Sequence, residues 1–350
     1  MAIELTSLAD LNTLPFDQII DVRSPAEYAL DHIPGAINLP VLSDEERARV
    51  GTIYVQDSRF RARKLGAALV ARNAAIHLEG ALSDKDGSYR PLVYCWRGGQ
   101  RSGSFAGILA QIGWRVDLVA GGYRSYRRLV AECLYETEFP APVVVLGGNT
   151  GTAKTDILHK IAALGGQIID LEGLANHRGS LFGAREGGQP SQKAFEGALA
   201  QKITALDPAR PVLLEAESSK VGDLFVPPSL WKAMQAAPRL TLDVPVDERA
   251  RYLVRAYSDL IVDTDNLVNI INKLRHLHSA DQIELWLDLA ANKAFEALAK
   301  GLMGQHYDPR YTKQSGPHIG RAGRVLSLDD LSETGLDLAA ARLMEFAQNL

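Results

Sequence analysis

The chain reads Pro91-Leu-Val-Tyr-Cys-Trp-Arg-Gly-Gly-Gln-Arg-Ser102 in its first half and Val143-Val-Val-Leu-Gly-Gly-Asn-Thr-Gly-Thr-Ala-Lys-Thr155 in its second. In both stretches an apolar run typical of a buried strand leads into a glycine-rich loop, and helix-compatible sequence follows. A loop between a strand and a helix directs backbone N–H groups at an anion. The two stretches therefore predict two α/β units, each with a loop that handles sulfur or phosphate.

Strand and helix signals alternate around both loops. Short apolar runs predict strands at 18–23, 91–95, 116–119, 143–146, 167–171, 211–215 and 239–243. Helical spacing separates them, and residues 246–302 are continuously helix-compatible. This alternation predicts α/β architecture with two parallel sheets. Pro140 and Pro142 break any helix there, so we expect domains at 1–137 and 138–350, the second with a helical region at about 246–302.

Length and composition narrow the class of protein. A chain of 350 residues exceeds one core of ordinary size, and its 46% hydrophobic and 23% charged content is that of a globular protein. No apolar stretch reaches the roughly 18 residues of a membrane helix, and the N-terminus lacks an export signal. The two cysteines, Cys95 and Cys133, cannot form a disulfide framework. We expect a cytoplasmic protein that makes no membrane contact.

The charge is distributed unevenly along the chain. The formal net charge is −4, which argues against non-specific coating of nucleic acid. Between residues 91 and 131, however, Asp117 is the one acid among six arginines: Arg97, Arg101, Arg115, Arg124, Arg127 and Arg128. The sequence therefore predicts a local basic face that binds RNA phosphates. Helix capping and surface solvation are the alternative for any single arginine.

Cys95 has the neighbours that a reactive thiol requires. A nucleophilic cysteine must be a thiolate near neutral pH, so its pKa must lie below the usual thiol value of about 8.5. A strand-to-helix turn favours this because its N–H groups and the helix N-terminus stabilise the thiolate. Arg97 and Arg101 add positive charge and can bind an oxyanion through two hydrogen bonds. The residues predict a catalytic group of Cys95, Arg97 and Arg101, with a buried structural cysteine as the alternative.

The first 130 residues resemble a rhodanese domain, the sulfurtransferase module whose cysteine carries a persulfide. The resemblance rests on Asp21-Val-Arg-Ser-Pro-Ala-Glu-Tyr28, on His32-Ile-Pro-Gly-Ala-Ile-Asn38 and on the Cys95 loop. Cys95 and Arg101 enclose five residues, a spacing that cysteine phosphatases of related fold also have. The loop length is therefore compatible with three transferred groups: sulfur, a larger chalcogen atom, and phosphate.

The second loop matches the P-loop template G-x-x-x-x-G-K-[ST] except at one position, where Ala153 replaces the glycine before the lysine. The predicted phosphate-binding residues are Gly148, Asn149, Thr150, Gly151, Thr152, Ala153, Lys154 and Thr155. Lys154 would neutralise phosphate oxygens, and Thr155 is a candidate ligand of Mg²⁺. Because Ala153 adds a methyl group where the backbone requires a close approach or a positive φ, a nucleotide and another polyphosphate both stay open. A ligand-free turn is the remaining alternative.

Three further groups of residues are candidates for contacts with a substrate or RNA. Carboxylates at predicted strand ends, Glu215 and Glu217, face the crevice of an open α/β sheet. The loop around Asn176, His177, Arg178 and Ser180 concentrates polar side chains among glycines. The segment with His306, Tyr307 and Arg310 combines rings with basic groups, as a nucleobase or phosphate site does. The basic helix after Gly121 adds Arg124, Arg127 and Arg128.

Taken together, these motifs resemble the tRNA 2-selenouridine synthase family, in which a rhodanese-like domain is fused to a P-loop NTPase-like domain. The resemblance is carried by the Cys95 loop, the P-loop, Asp170-Leu-Glu-Gly-Leu-Ala-Asn-His-Arg-Gly-Ser180 and His306-Tyr-Asp-Pro-Arg-Tyr311. It implies a transferase that replaces sulfur by selenium in wobble 2-thiouridine of tRNA, with selenophosphate as selenium donor. It also implies an S-geranylated intermediate made from geranyl diphosphate. No tightly bound cofactor and no metal site are predicted, apart from the candidate Mg²⁺.

Two other functions stay open at this point. One is a cytosolic sulfurtransferase or phosphatase with a nucleotide-binding regulatory domain. The other is a small-molecule or nucleotide kinase with a non-catalytic N-terminal module. The basic segment between residues 97 and 128 favours an RNA substrate, because neither alternative needs it.

Overall fold

The computed structural model describes residues 2–216, 218–315 and 323–348. The chain forms two compact units. The first consists of Met1–Glu138, Pro190–Ala205 and Pro227–Ser229, and the second of Phe139–Gln189, Leu206–Val226 and Leu230–Leu350. The expected domains were contiguous, whereas residues 190–205 belong to the first unit. That segment forms a helix whose Phe195 and Leu199 are buried and whose Glu196 pairs with Arg127 of the same unit.

The first unit is built on a five-stranded parallel sheet. Its strands are β1 (Ala2–Ile3), β2 (Gln18–Asp21), β3 (Ile37–Asn38), β4 (Pro91–Tyr94) and β5 (Asp117–Val119). The strand order is β1-β5-β4-β2-β3. Every residue of the central strand β4 is buried, as expected for an apolar run in the middle of a parallel sheet. The carboxyl end of β4 delivers Cys95.

Eight helical segments belong to the first unit. They are α1 (Asp10–Thr13), α2 (Pro25–Leu30), α3 (Asp44–Gln56), α4 (Arg59–Glu79), α5 (Gln100–Gln111), α6 (Tyr123–Ala131), a π-helical turn (Glu132–Glu136) and α9 (Gln192–Thr204). The segment between β3 and β4 is helix-compatible in sequence. The structure has two helices there, because Ser58 caps a new helix by accepting a hydrogen bond from the Arg61 N–H.

The second unit contains another five-stranded parallel sheet. Its strands are β6 (Val143–Gly148), β7 (Gln167–Ile169), β8 (Val212–Glu215), β11 (Arg239–Asp243) and β12 (Arg324–Ser327), in the order β12-β11-β6-β8-β7. A short antiparallel pair, β9 (Lys220–Val221) and β10 (Leu224–Phe225), lies outside this sheet. The central strand β6 is buried throughout and leads into the predicted P-loop. The predicted fold class, α/β with two parallel sheets, is confirmed.

Helices account for most of the second unit. They are α7 (Lys154–Ala163), α8 (Leu171–Leu174), α11 (Val246–Ala256), α12 (Ser258–Val262), α13 (Thr264–Asn272), α14 (Ala280–Ala291), α15 (Phe295–Leu302), a π-helical turn (Met303–Tyr307), α16 (Asp308–Ser315) and α17 (Glu333–Gln348). Another helix, α10 (Pro228–Ala236), precedes β11. The region expected to be helical at about 246–302 is indeed helical, in five segments. None of the helices in the described residues is long and apolar enough for a membrane crossing.

Two hydrophobic cores lie among the described residues of the second unit. In one, Leu146 of β6 and Leu242 of β11 pack with Ile157 of α7 and Leu343 of α17. In the other, the helices α13, α14 and α15 bury Ile271, Trp286 and Leu298 among themselves. The helical region therefore has a core of its own, beside the one that covers the sheet.

Candidate functional site

Cys95 lies where β4 ends, in the loop that leads to α5. Its Sγ accepts hydrogen bonds from the Gly99 N–H at 3.3 Å and from the Ser102 hydroxyl at 3.1 Å. Gly99 is the N-cap of α5 and provides no side chain to the first turn, so the sulfur takes the place of a capping group. The thiol is 3% exposed.

These contacts decide the ionisation of Cys95. Burial acts to raise the pKa of the thiol, but hydrogen bonds from the Ser102 hydroxyl, the Ser102 N–H and the Gly99 N–H, with the charge of Arg101, outweigh it and lower the pKa. The thiolate is therefore the favoured form relative to an ordinary cysteine. Cys133 behaves in the opposite way, since burial raises its pKa. Of the two thiols, Cys95 is the one whose pKa is lowered.

The turn after β5 holds the Cys95 loop from the other side. Tyr123 and Arg124 donate their N–H groups to the carbonyls of Cys95 and Trp96. Gly122 has a φ of 62°, and a Cβ there would stand 2.2 Å from the Cys95 carbonyl oxygen, so only glycine fits. The ring of Trp96 stacks on Tyr123 at 5.2 Å between centroids. The loop geometry is thus fixed by a turn that the sequence places 26 residues downstream, at Gly121 and Gly122.

The two arginines of the predicted catalytic group have different surroundings. The Arg101 guanidinium donates to a carboxylate oxygen of Glu27 at 2.8 Å, and Arg47 approaches the same oxygen at 2.8 Å. Arg97 is exposed. Arg101 is therefore positioned beside the cysteine by Glu27, a residue of the rhodanese motif 74 positions earlier in the chain. Arg97 is open to an incoming anion.

The basic face predicted around α6 is partly neutralised. Arg127 forms an ion pair with the buried Glu196 and donates to the Lys193 carbonyl at 3.3 Å. Arg128 lies 3.8 Å from Glu132, and Arg124 is exposed. Arg127 therefore fastens α9 within the first unit. Arg124 keeps the exposure that an RNA contact needs.

In the second unit the P-loop follows β6 and ends at the first turn of α7. The Lys154 ammonium donates to the Gly148 carbonyl at 2.9 Å, and the Gly148 N–H donates to the Tyr311 hydroxyl at 2.9 Å. Ala153 is the N-cap of α7 and offers no side-chain acceptor. The first N–H groups of this helix are therefore free of a side-chain cap, which is the arrangement that binds phosphate.

Ala153 adopts a left-handed conformation with φ 57° and ψ 31°. This is the backbone for which the P-loop template uses glycine, and a non-glycine residue there is strained by about 1–2 kcal/mol. The methyl group is buried and packs in the core with Leu146 and Ile157. The loop therefore adopts this left-handed conformation although alanine stands in place of glycine.

A buried ion pair supports the loop from α11. Arg249, 4% exposed, pairs with Asp308 at 2.9 Å and donates to the Thr150 carbonyl at 3.1 Å. Gly151, with φ 86°, lies so close to α11 that a Cβ would meet the Arg249 carbonyl oxygen at 3.0 Å. Sequence reasoning missed Arg249. A buried arginine in a helix has no local signal, because its partner is 59 residues away.

Carboxylates gather near the start of α7. Thr155 donates to Glu172 at 3.1 Å, and Glu215, fully buried, accepts from the Leu171 N–H at 3.1 Å. Burial, followed by the charges of Asp170 and Glu172, raises the pKa of Glu215 well above its usual range. The described residues contain no group of three or more metal-ligating side chains. Thr155 and Glu172 are donors of the kind that Mg²⁺ takes together with phosphate oxygens. Glu217 lies outside the described residues.

The loop around residue 176 is organised by its own polar side chains. Asn176 has a φ of 46° and donates to the carbonyls of Glu186 and Gly188 at 2.9 Å. His177 Nδ1 accepts from the Gly179 N–H at 3.1 Å. Arg178 pairs with Asp259 at 3.0 Å and covers the Tyr257 ring at 4.6 Å. Asn176 therefore shapes the loop, while Arg178 is directed toward the P-loop side of the unit.

The segment 306–310 is helical rather than a turn around Asp308. His306 is 3% exposed and contacts His278 at 2.9 Å and Arg310 at 3.1 Å. Burial, with the charges of Arg310 and His278, lowers the pKa of His306 to about 4. His306 is not presented to a nucleobase in this structure. Tyr307 packs edge-on against Phe182, and Arg310 is exposed.

Beside the P-loop lies a polar pocket of about 650 Å³. Its lining includes Thr155, four cations and three acids: Lys154, Arg178, Arg185 and Arg255, with Asp156, Glu172 and Glu333. Cations around an uncapped helix N-terminus form a site for a group with several negative charges. Arg185 and Arg255 were not predicted, since nothing in the sequence pattern relates them to the loop.

An apolar cavity of about 80 Å³ adjoins this pocket. The two share Leu253 and Tyr257, and Thr150 of the P-loop also lines the cavity. Its other walls come from helices α12, α13 and α15 and include Leu260, Leu267, Phe295, Leu298, Ala299 and Leu302. Ser180 and Tyr307, both predicted as substrate contacts, line it as well. The second unit therefore has a polar pocket with several cations beside the P-loop, and an apolar cavity adjoins it.

Comparison with known proteins gives a consistent result. Residues 4–129 match the model of the rhodanese-like domain, and residues 141–272 match that of the tRNA 2-selenouridine synthase AAA domain. A protein of Pseudomonas syringae pv. syringae (strain B728a) named tRNA 2-selenouridine synthase is 32% identical, with 87% of this chain and 89% of that protein covered. Proteins of the same name from Alcanivorax borkumensis and Sulfurovum sp. are 33% and 34% identical, with 90% and 85% of this chain and 92% and 78% of theirs covered.

Fold and site thus define a two-unit protein in which a rhodanese-like unit with an activated cysteine is joined to a P-loop unit. The extent of the similarity identifies it further. The chain belongs to the tRNA 2-selenouridine synthase family. The family resemblance that the sequence motifs indicated is confirmed.

Proposed function

We propose that this protein is a transferase that replaces the sulfur of wobble 2-thiouridine in tRNA by selenium from selenophosphate. The sulfur is first geranylated with geranyl diphosphate, and the geranylated nucleoside is then selenated. The relatives are named for the synthesis of 2-selenouridine in tRNA. The observation that carries the geranyl step is the apolar cavity that adjoins the polar pocket of the P-loop.

In the first step the 2-thiouridine sulfur attacks C1 of geranyl diphosphate. The C1–O bond breaks, diphosphate leaves with the bonding electrons, and the nucleobase loses its N3 proton. Lys154, Arg178 and the N-terminus of α7 stabilise the charge that develops on the diphosphate. The apolar side chains of the cavity, among them Leu298 and Ala299, contact the terpene chain, part of which fits into the present volume of about 80 Å³. Mg²⁺ bound by Thr155 and Glu172 would supply further charge neutralisation.

In the second step the selenium of selenophosphate attacks C2 of the nucleobase, and the C2–S bond breaks to release geranylthiol. Water then attacks the phosphorus, the P–Se bond breaks, and phosphate leaves while selenium stays on C2. Geranylation makes the sulfur a leaving group, because it departs as a thiolate rather than as sulfide. We assign the handling of selenium to Cys95, since it is the activated thiol of the rhodanese-like unit. Arg97 and Arg101 supply positive charge for the phosphate of selenophosphate.

The division of labour is tested with thiolated tRNA and the purified protein. Nucleosides are identified by mass after incubation with geranyl diphosphate, with selenophosphate, or with both. Cys95→Ala is expected to abolish selenation and to leave S-geranylation intact, whereas Lys154→Ala is expected to abolish geranylation. The reverse pattern would refute this assignment of the two units.

The apolar cavity has a test with a matched control on the same helix. Ala299→Phe fills the cavity, and we expect the KM for geranyl diphosphate to rise about tenfold or more, while dimethylallyl diphosphate is used as before. Ala297 lies on α15 outside the cavity lining and is exposed, so Ala297→Phe should leave the KM unchanged. Equal KM values for the two variants would contradict a prenyl function of the cavity.

A further inference from the structure

A second basic surface lies on the helix pair α3 and α4 of the first unit. Across the two helices, residues 44–79, the chain carries seven cations, Arg47, Arg49, Arg59, Arg61, Arg63, Lys64 and Arg72. It carries five acids, Asp44, Glu45, Glu46, Asp57 and Glu79, of which Asp57 alone lies between residues 47 and 72. The full chain has a net charge of −4, so this excess is local. A concentration of cations on one short helical segment attracts a polyanion.

Several of these cations are available to a partner. Arg47 pairs with Glu27, and Arg61 pairs with Asp57 at 3.2 Å. Arg63 and Lys64 are exposed, and within the described part of the chain neither forms an ion pair. The positive charge at 63 and 64 is therefore not used to hold the fold together.

Aromatic side chains are interleaved with the cations. Phe60 is 75% exposed and Tyr54 is 44% exposed, and the Arg59 guanidinium lies 5.6 Å from the centroid of the Tyr54 ring. An exposed phenylalanine adds little to the stability of a helix. Rings beside guanidinium groups are the combination with which proteins stack unpaired bases and hold the flanking phosphates.

This surface continues into a cavity next to the Cys95 loop. The cavity measures about 300 Å³ and is lined by Val50 and Tyr54 of α3, Ala62 and Arg63 of α4, and Gln100 and Arg101 of α5. Gln100 and Arg101 directly follow the loop that holds the thiolate. Ala62 has a small side chain, so α4 leaves space for the cavity at this position. The cavity thus joins the aromatic and basic surface to the chemistry of the first unit.

We propose that the α3–α4 surface binds the anticodon loop of the tRNA and that the cavity beside Arg101 receives the unstacked target base during selenium transfer. This inference rests on the proposed function, and it names where the RNA lies on the first unit. Arg63 and Lys64 contact phosphates, and Phe60 stacks on a base next to the target. An acidic protein partner would need the cations but not the ring of Phe60.

Binding is measured with the full chain and a fluorescein-labelled anticodon stem-loop RNA with uridine at the wobble position, by anisotropy over a range of salt concentrations. The variant R63A/K64A is compared with K202A/R342A, which also removes one lysine and one arginine, from exposed positions elsewhere. We expect R63A/K64A to weaken binding and to reduce the slope of log Kd against log salt by about 0.7 for each lost phosphate contact. Equal slopes and affinities for the two double variants would overturn the proposal.

The ring of Phe60 has its own comparison. F60L is expected to weaken RNA binding about fivefold or more, because a stacked base is lost, and F60Y is expected to bind like the unchanged chain. If F60L and F60Y bind alike while R63A/K64A is weak, stacking is refuted and the surface fits a general polyanion or an acidic protein instead. If the unchanged chain neither binds the RNA nor modifies 2-thiouridine in tRNA, the proposed function itself fails. If it does both while all variants match their controls, only this surface is refuted.

Discussion

The Ser102 hydroxyl donates a hydrogen bond to the Sγ of Cys95 across 3.1 Å, and Ser102 itself is fully buried. The Gly99 carbonyl, 3.3 Å from the same hydroxyl, is the alternative acceptor for its single proton. The hydrogen bond to Sγ is the largest of the contacts that lower the pKa of the thiol against the effect of burial. The ionisation of Cys95 therefore depends on Ser102. The sequence alone does not distinguish this serine from the other polar residues of the loop.

Ser102→Ala should raise the pKa of the Cys95 thiol, because burial remains while the strongest opposing hydrogen bond is lost. A hydrogen bond to a charged group contributes about 1.5–3 kcal/mol, so alkylation of Cys95 by iodoacetamide near pH 7 should slow about tenfold or more. Peptide mass spectrometry separates this reaction from that of Cys133. Ser104→Ala, on the exposed side of α5, is the control. An unchanged pH profile for Ser102→Ala would show that the hydroxyl does not stabilise the thiolate.

Replacement of Ala153 separates backbone strain from burial. In Ala153→Gly, the relief of about 1–2 kcal/mol of left-handed strain is offset by the loss of a buried methyl group, about 0.8 kcal/mol, and by the greater entropy of unfolded glycine. We therefore expect the free energy of unfolding to change by less than about 1 kcal/mol. Ala153→Val should destabilise by about 2 kcal/mol or more, since a β-branched residue resists this backbone.

Denaturant unfolding checks both variants. Gly165→Ala is the control, because Gly165 has a φ of 86° with open space around it, so a methyl group adds strain without a clash. Its expected effect is a destabilisation of about 1 kcal/mol. If Ala153→Gly lowers the free energy of unfolding by well over about 1 kcal/mol, the packing of the methyl group stabilises the fold by more than the left-handed backbone costs.

Arg249→Ala should destabilise the second unit by about 3 kcal/mol, because it leaves Asp308 without the guanidinium and removes the donor to the Thr150 carbonyl. The P-loop loses its support from α11, so geranylation should fall along with stability. Thermal unfolding and the nucleoside assay report the two effects. Arg251→Ala breaks the exposed pair with Glu248 on the same helix and should change stability by no more than about 0.5 kcal/mol. Similar losses in both variants would contradict a special role for Arg249.

The raised pKa of Glu215 makes the free energy of unfolding depend on pH. Burial raises its pKa well above the ordinary value of 4.5, so at pH above 4.5 the folded state holds a proton that the unfolded state has released. The free energy of unfolding therefore falls as pH rises from 4.5 toward the raised pKa. Glu215→Gln removes this loss, and its Tm should exceed that of the unchanged chain by a margin that grows with pH.

The exposed Glu296 provides the comparison for that series, since Glu296→Gln makes the same change of charge on the surface. Its Tm should follow the unchanged chain at every pH. If Glu215→Gln follows it too, Glu215 is ionised in the folded protein and its raised pKa is refuted.

The local sequence determined the fold class and the two loops. The runs at 91–94 and 143–146 are apolar at every position, which only a central parallel strand accommodates, and glycines with a following helix fix what comes next. Cys95 and Lys154 could therefore be assigned from neighbours within a few residues. Their chemistry depends on backbone N–H groups that the strand-to-helix turn itself supplies.

The tertiary structure decided how those groups are supported and which candidates reach them. Glu27 lies 74 residues from Arg101, and Tyr311 lies 163 residues from Gly148, so no local pattern could relate them. The same holds for the burial of His306 and the pairing of Arg127 with Glu196, which turned two predicted contact residues into packed ones. The apolar cavity beside the P-loop also exists only because α11, α12 and α15 converge. Hydrophobic periodicity specifies that a helix is buried on one face, but which faces meet, and what space they enclose, is set by packing across the whole unit.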